Sequence, residues 1–229
     1  MPSMTTETTN SSNRTAASGV VDFAEAFRNH AAGTTPAGLT ERLLPEVNGS
    51  FWLLVTSHAL ADTTRNQVLQ MVLTRALPTG VSIALAVDWQ PKQWGLPDNT
   101  PPTAEVMRRF RPLAQAAQLI RCSADEAESF FASDDPGTIH RQMPQKPAVL
   151  IRQRDGALAW CIGGRQGRVA RELLQGESGF LAHLLDNLCA HPELLGNAGP
   201  GIDAIADPDG LAEQLLNAAA AAQAEPATD

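Results

Sequence analysis

Four short stretches of this 229-residue chain carry side chains that could do chemistry. Ser57-His58 puts a hydroxyl beside an imidazole, and Asp88-Trp-Gln90 supplies a carboxylate and an amide. Ser123-Ala-Asp-Glu126 spaces a hydroxyl and a carboxylate by three residues. Gln175-Gly-Glu-Ser-Gly-Phe180 sets two glycines, a carboxylate and a serine ahead of a leucine-rich run. Hydroxyls, carboxylates and amides at such positions could contact a ligand, although polar residues are also ordinary in the loops of an α/β sheet. His58 has no sequence neighbour to activate it and reads as a solvated loop residue.

These stretches must be positioned by the elements around them. Phe51–Ser57, Val81–Val87, Gln118–Cys122 and Pro147–Arg152 are apolar runs of strand length, suited to strands buried on both faces. Helical patterns separate them. One is capped by Asp62 with Val68, Met71, Val72 and Ala76 on a stripe, and one carries Val106, Phe110 and Leu113. A third opens with a Ser123/Glu126 capping box ahead of Phe130 and Phe131. Ala157–Ile162 is a further strand, and Gly163-Gly-Arg-Gln-Gly167 reads as a hairpin turn, although it could also suit a phosphate. Phe180, Leu181, Leu184, Leu185 and Leu188 form a core-facing stripe. Alternation of strand and helix predicts an α/β fold, a mainly parallel sheet with helices on both faces. Ligands of such sheets sit beyond the strands' carboxyl ends, which directs attention to Ser57-His58, Asp88–Trp94 and Cys122–Glu126. Residues 1–19 read as a disordered tail, 20–217 as the domain, with two short helices before Phe51, and 218–229 as a frayed end.

The run Ala86-Val-Asp-Trp-Gln-Pro-Lys-Gln-Trp94 resembles the Asp-x-Asn-Trp-Arg-Pro-x-x-Trp segment of fructokinase-like PfkB (ribokinase-like) carbohydrate kinases. Leu119–Ala127 is similar to the strand–turn–helix that carries Asn-x-x-Glu in that family, and Ala148–Gly156 to the strand ending in Thr-x-Gly. Gly176–Phe180 and the following helix resemble the Gly-Ala-Gly-Asp-Ala-Phe turn. The resemblance covers residues 40 to 195 and implies a ribokinase-like core, with Mg-ATP as cofactor where kinase activity is retained. It places Asp88, Gln90, Ser123, Glu126, Gly176 and Gly179 at nucleotide- or substrate-binding positions, Glu126 at a magnesium-shell position, and Ser178 at that of the catalytic base. Glu126 is equally explained as the third residue of its capping box.

The departures from that pattern concern the same positions. Ser178 stands where the family has Asp, and a serine hydroxyl without an activating partner is no base near neutral pH. Glu177 replaces a glycine of the anion-binding turn, and two like charges 4 Å apart repel by roughly 4 kcal/mol at an effective dielectric of ~20. Ala86, Asp88 and Gln90 replace Asp, Asn and Arg, Ser123 replaces Asn, and Arg152 and Arg154 replace Thr and Gly. No counterpart of the family's amino-terminal portion with its lid is read before Phe51. The expectation is a non-catalytic relative that acts as an interaction or regulatory protein. The alternatives are an ATP-dependent, fructose-like carbohydrate kinase completed by a partner chain, and a small-molecule-binding α/β domain.

Composition narrows the partners. A formal charge of −8 gives no basic footprint for nucleic acid, and no apolar run reaches the ~18 residues of a membrane span. Three scattered cysteines form no disulfide or zinc pattern, and the polar amino terminus is no signal peptide, so the expected location is the cytoplasm. Residues 141–171 hold seven Arg or Lys and one acid, whereas 172–229 hold ten acids and no Arg or Lys. These charged faces either neutralise each other within the fold or dock a protein partner. An exposed sheet edge is the expected route to a homodimer.

Overall fold

The computed structural model describes residues 19–30, 35–170, 180–191 and 208–224. Among the described residues the sheet has seven strands: β1 (Val20–Asp22), β2 (Trp52–Thr56), β3 (Ser82–Ala86), β4 (Leu119–Ser123), β5 (Ala148–Arg152), β6 (Leu158–Ile162) and β7 (Arg165–Val169). Their order across the sheet is their order in the chain. β1 to β5 pair in parallel, and β6 and β7 add antiparallel.

That order decides where the helices go. Parallel crossovers are right-handed, so steps taken always in one direction put every crossover helix on the same face. This face holds α1 (Phe23–His30), α2 (Pro36–Gly49), α3 (Thr63–Ala76), α4 (Ala104–Ala116), α5 (Ala124–Phe131) and α6 (Pro136–Gln142). Leu53, Val55, Ile83, Leu85, Ile120, Cys122, Val149 and Ile151 pack there in one cluster with Phe23, Leu43, Val72, Phe110 and Ile139. The intervening strand residues, among them Trp52, Ala84, Leu119, Leu150 and Trp160, face the other way. α7 (Phe180–Ala190) and α8 (Pro208–Ala224) cover that second face through Leu184, Leu185, Leu188, Leu211 and Leu215. The fold is the expected α/β sheet with helices on both faces.

Local chemistry accounts for the boundaries. Asp62 Oδ1 accepts from Arg65 N at 2.7 Å to start α3, whose buried stripe is Val68, Leu69, Val72, Leu73 and Ala76, with Met71 only half-buried. Gly163 (φ 55°) and Gly164 (φ 80°) make the two-residue β6–β7 turn, which requires positive φ at both positions. The first two residues of the glycine run are therefore the hairpin turn that the sequence suggested, whereas Arg165-Gln-Gly167 belong to β7. α8 packs against β7 and runs through the boundary placed at 217, with Ala218 fully buried. No described helix is long and apolar enough to cross a membrane. The sequence reading missed β1 and β7, and it placed only helices between the tail and Phe51.

Candidate functional site at the carboxyl edge of the sheet

The carboxyl ends of β2 to β5 lie side by side, so the residues just after them converge. Four consecutive residues after β3 are each tied to a different neighbour. Val87 N donates to Arg121 O at 2.8 Å. Ser57 Oγ accepts from Asp88 N and donates to Asp88 O, both at 2.9 Å. Trp89 N donates to Glu126 Oε1 at 2.9 Å. Gln90 Nε2 donates to both Asp88 carboxylate oxygens, at 3.0 and 2.9 Å. The Trp89 ring lies edge-on to Phe130, 5.5 Å between centroids, and its Nε1 donates to Thr100 O, so it packs beneath the proline-rich loop.

Glu126 works as the hub. Ser123 N and Ser123 Oγ both donate to its Oε2 at 2.8 Å, and Glu126 N donates back to Ser123 Oγ at 3.3 Å. This is the capping box read from the sequence, extended by the bond to Trp89. A carboxylate offers about four acceptor positions, and donors of this chain occupy three of them. Only one position on Oε1 remains for a cation. Among the described residues, no three His, Cys, Asp or Glu side chains are gathered so as to hold a metal ion. Magnesium is commonly held by one or two carboxylates, with water and phosphate completing its shell, so the one open position on Glu126 Oε1 is what this carboxylate offers such an ion.

Val87, Asp88, Arg121, Ser123, Glu126 and Arg152 line an open cleft of about 310 Å³. Asp88, Ser123 and Glu126 are thus brought together as the sequence suggested, with Gln90 joined to them through Asp88. Arg121 and Arg152 are the additions that sequence reasoning did not name as site residues. The signal for Arg121 was a lone charge inside the run Leu-Ile-Arg-Cys, half-buried on the face that α7 and α8 cover. Its guanidinium makes no hydrogen bond or ion pair with a described residue. Gly176, Ser178 and Gly179 lie outside the described residues.

His58 differs from its expectation as a solvated residue. Its side chain is only 23% exposed, Nε2 lies 3.0 Å from Thr56 Oγ1, and Nδ1 lies 3.8 Å from Asp88 Oδ2. Burial and the nearby Arg65 lower its pKa below the ordinary 6.5, against the opposing pull of Asp88 and Asp22.

No protein-family profile matches the chain, and no curated protein matches it in sequence. Solved structures do match its fold. A fructokinase from Xylella fastidiosa aligns at a TM-score of 0.61 and 17% identity, over 79% of this chain and 55% of that one. The Xylella fructokinase solved with bound ATP aligns at 0.60 and 17%, over 79% and 57%. A PfkB protein from Polaromonas sp. JS666 aligns at 0.56 and 18%, over 85% and 63%. The fold is that of the PfkB carbohydrate kinases, and the chain spans 55% to 63% of the length of these three solved proteins.

Proposed function

We propose that this chain is a non-catalytic protein of PfkB fold that acts by binding at the carboxyl edge of its sheet, as an interaction or regulatory protein. The observation that carries the reading is the state of Glu126. The carboxylate that the resemblance puts at the magnesium-shell position already accepts three hydrogen bonds from Ser123 and Trp89, where it fastens a loop to a helix. Ser178 at the base position and Glu177 in the glycine turn argue the same way. What the cleft retains is charge and donors: the guanidiniums of Arg121 and Arg152 favour an anionic group on the ligand or partner. A partner chain, or a second copy of this one, is the occupant that the segregated charge of residues 141–229 would suit.

The second reading is an ATP-dependent sugar kinase that uses Mg-ATP, supported by the likeness to a fructokinase solved with ATP. A coupled assay for ADP release with a sugar panel separates the two. No turnover is expected from the native chain or from Ser178→Asp, and Mg-dependent turnover with fructose or a related sugar would overturn the first reading. A thermal-shift titration with Mg-ATP, Mg-ADP and a metal-free control tests nucleotide binding on its own. Ligand at about 100 times its dissociation constant stabilises by roughly 2.7 kcal/mol.

A further inference from the structure

His58 and Asp88 are placed to exchange a partner. The backbone of Asp88 is fixed at both its N–H and its C=O by Ser57 Oγ, so the side chain is the part free to move, and it is 42% exposed. Both its oxygens accept from Gln90 Nε2. On its other side is His58, whose buried Nδ1 has no hydrogen-bond partner. The gap from Nδ1 to Asp88 Oδ2, 3.8 Å, is too long for a hydrogen bond and short enough for a small χ rotation to close.

We propose that His58 is a proton-operated latch on Asp88. With a neutral imidazole, the Asp88 carboxylate stays on Gln90 and presents its charge to the cleft. With an imidazolium, Nδ1–H takes Asp88 Oδ2, Gln90 is released, and the cleft becomes more positive. The proton comes from solvent and stays on the ring, and no covalent bond changes. The charged groups that face His58 are Asp88 from the loop after β3, Arg65 from α3 and Asp22 from the end of β1. Burial and Arg65 oppose the charged ring, whereas the two acids favour it, and burial is the larger effect, so the latch engages below the ordinary imidazole range. The effect on ligands rests on the reading of the cleft as a binding site, but the latch itself does not.

NMR of the free protein tests the latch without any ligand. The side-chain amide pair of Gln90 and the carboxyl carbon of Asp88 are expected to shift with the same midpoint as the His58 ring, and to lose that step in His58→Gln. In Asp88→Asn the His58 midpoint is expected to fall further. A Gln90 amide that does not respond while His58 titrates would overturn the proposal. Sulfate, which keeps its charge over this range, tests the consequence at constant ionic strength. Its affinity, read on the Arg121 and Ser123 signals, is expected to rise roughly fivefold from about pH 7.5 to a pH below the His58 midpoint found by NMR in the native chain, and to stay flat in His58→Gln. An equal rise in both would overturn the coupling. A Gln90 step without sulfate binding at either pH would uphold the latch and remove the cleft's reading as an anion site.

Discussion

Glu126 and Trp89, 37 residues apart in sequence, are joined by a 2.9 Å hydrogen bond from the Trp89 backbone N–H to a carboxylate oxygen. The same carboxylate caps α5 through Ser123. One side chain thus sets both the start of a helix and the course of the loop after β3. Its removal should cost more than a cap alone. Glu126→Ala is expected to destabilise the chain by about 2–3 kcal/mol, the sum of a lost cap and an orphaned backbone donor. Urea denaturation measures it. Glu126→Gln should cost less, because its amide oxygen can still accept from one of the donors.

Ser57 makes a simpler case. Its hydroxyl serves both backbone groups of Asp88, and Ser57 is itself buried. Ser57→Ala leaves an N–H and a C=O without partners and is expected to cost about 1–3 kcal/mol. The change should also broaden the Asp88 and Gln90 amide signals, which amide exchange or NMR would detect.

The Trp160 indole packs against Gly167 on the neighbouring strand, so that a Cβ built at Gly167 would meet the ring at 2.1 Å. Gly167→Ala must push the ring aside. The expected cost is about 1–3 kcal/mol, with a change in tryptophan fluorescence that a merely weakened edge strand would not give.

Much of this was legible in the sequence, and the failures have physical causes. β2 to β5 announced themselves because strands buried on both faces are continuous apolar runs. β7 did not: Arg-Gln-Gly-Arg-Val is an exposed edge strand, held by its hairpin turn and by the Trp160 contact, and neither gives a hydrophobic pattern. β1 is three residues long and adjoins a polar stretch, so periodicity has nothing to act on. At the site, the capping box was readable because it is local. The bond from Glu126 to Trp89 and the His58–Asp88 approach were not, because they depend on which strands are neighbours.

Asp135 predicts part of the acid response. It caps α6 by accepting from Thr138 Oγ1, Thr138 N and Gly137 N, and the Thr138 hydroxyl, first among these bonds, holds its pKa below the ordinary 3.8. A depressed carboxylate adds stability above its unfolded pKa, and that stability is lost as pH falls through the folded value. Asp135→Ala is expected to cost about 1 kcal/mol near neutral pH. The gap from the native chain should close below about pH 4, as melting temperatures across that range would register.

The three thiols should resist modification. Burial pushes all of them up: Cys122 strongly, Cys161 as well, and Cys189 to about 11, with Asp186 adding to the effect. Since the thiolate is the reactive form, a disulfide reagent near pH 8 should titrate well under one thiol per native chain over minutes. It should titrate three after denaturation, and Cys189, the half-exposed one, should react first in the native chain.

The sequential strand order also bears on how the protein is made. Each new strand pairs with the one finished just before it, so the sheet can assemble as the chain leaves the ribosome. Its first face is covered step by step by the crossover helices. Its second face, with Trp52, Leu119, Leu150 and Trp160, waits for α7 and α8, which follow all seven described strands in the chain. At a translation speed of about 5–20 residues per second, that apolar face stays bare for on the order of ten seconds in every molecule synthesised. The nascent chain is therefore the form of this protein that exposes the most apolar sheet surface.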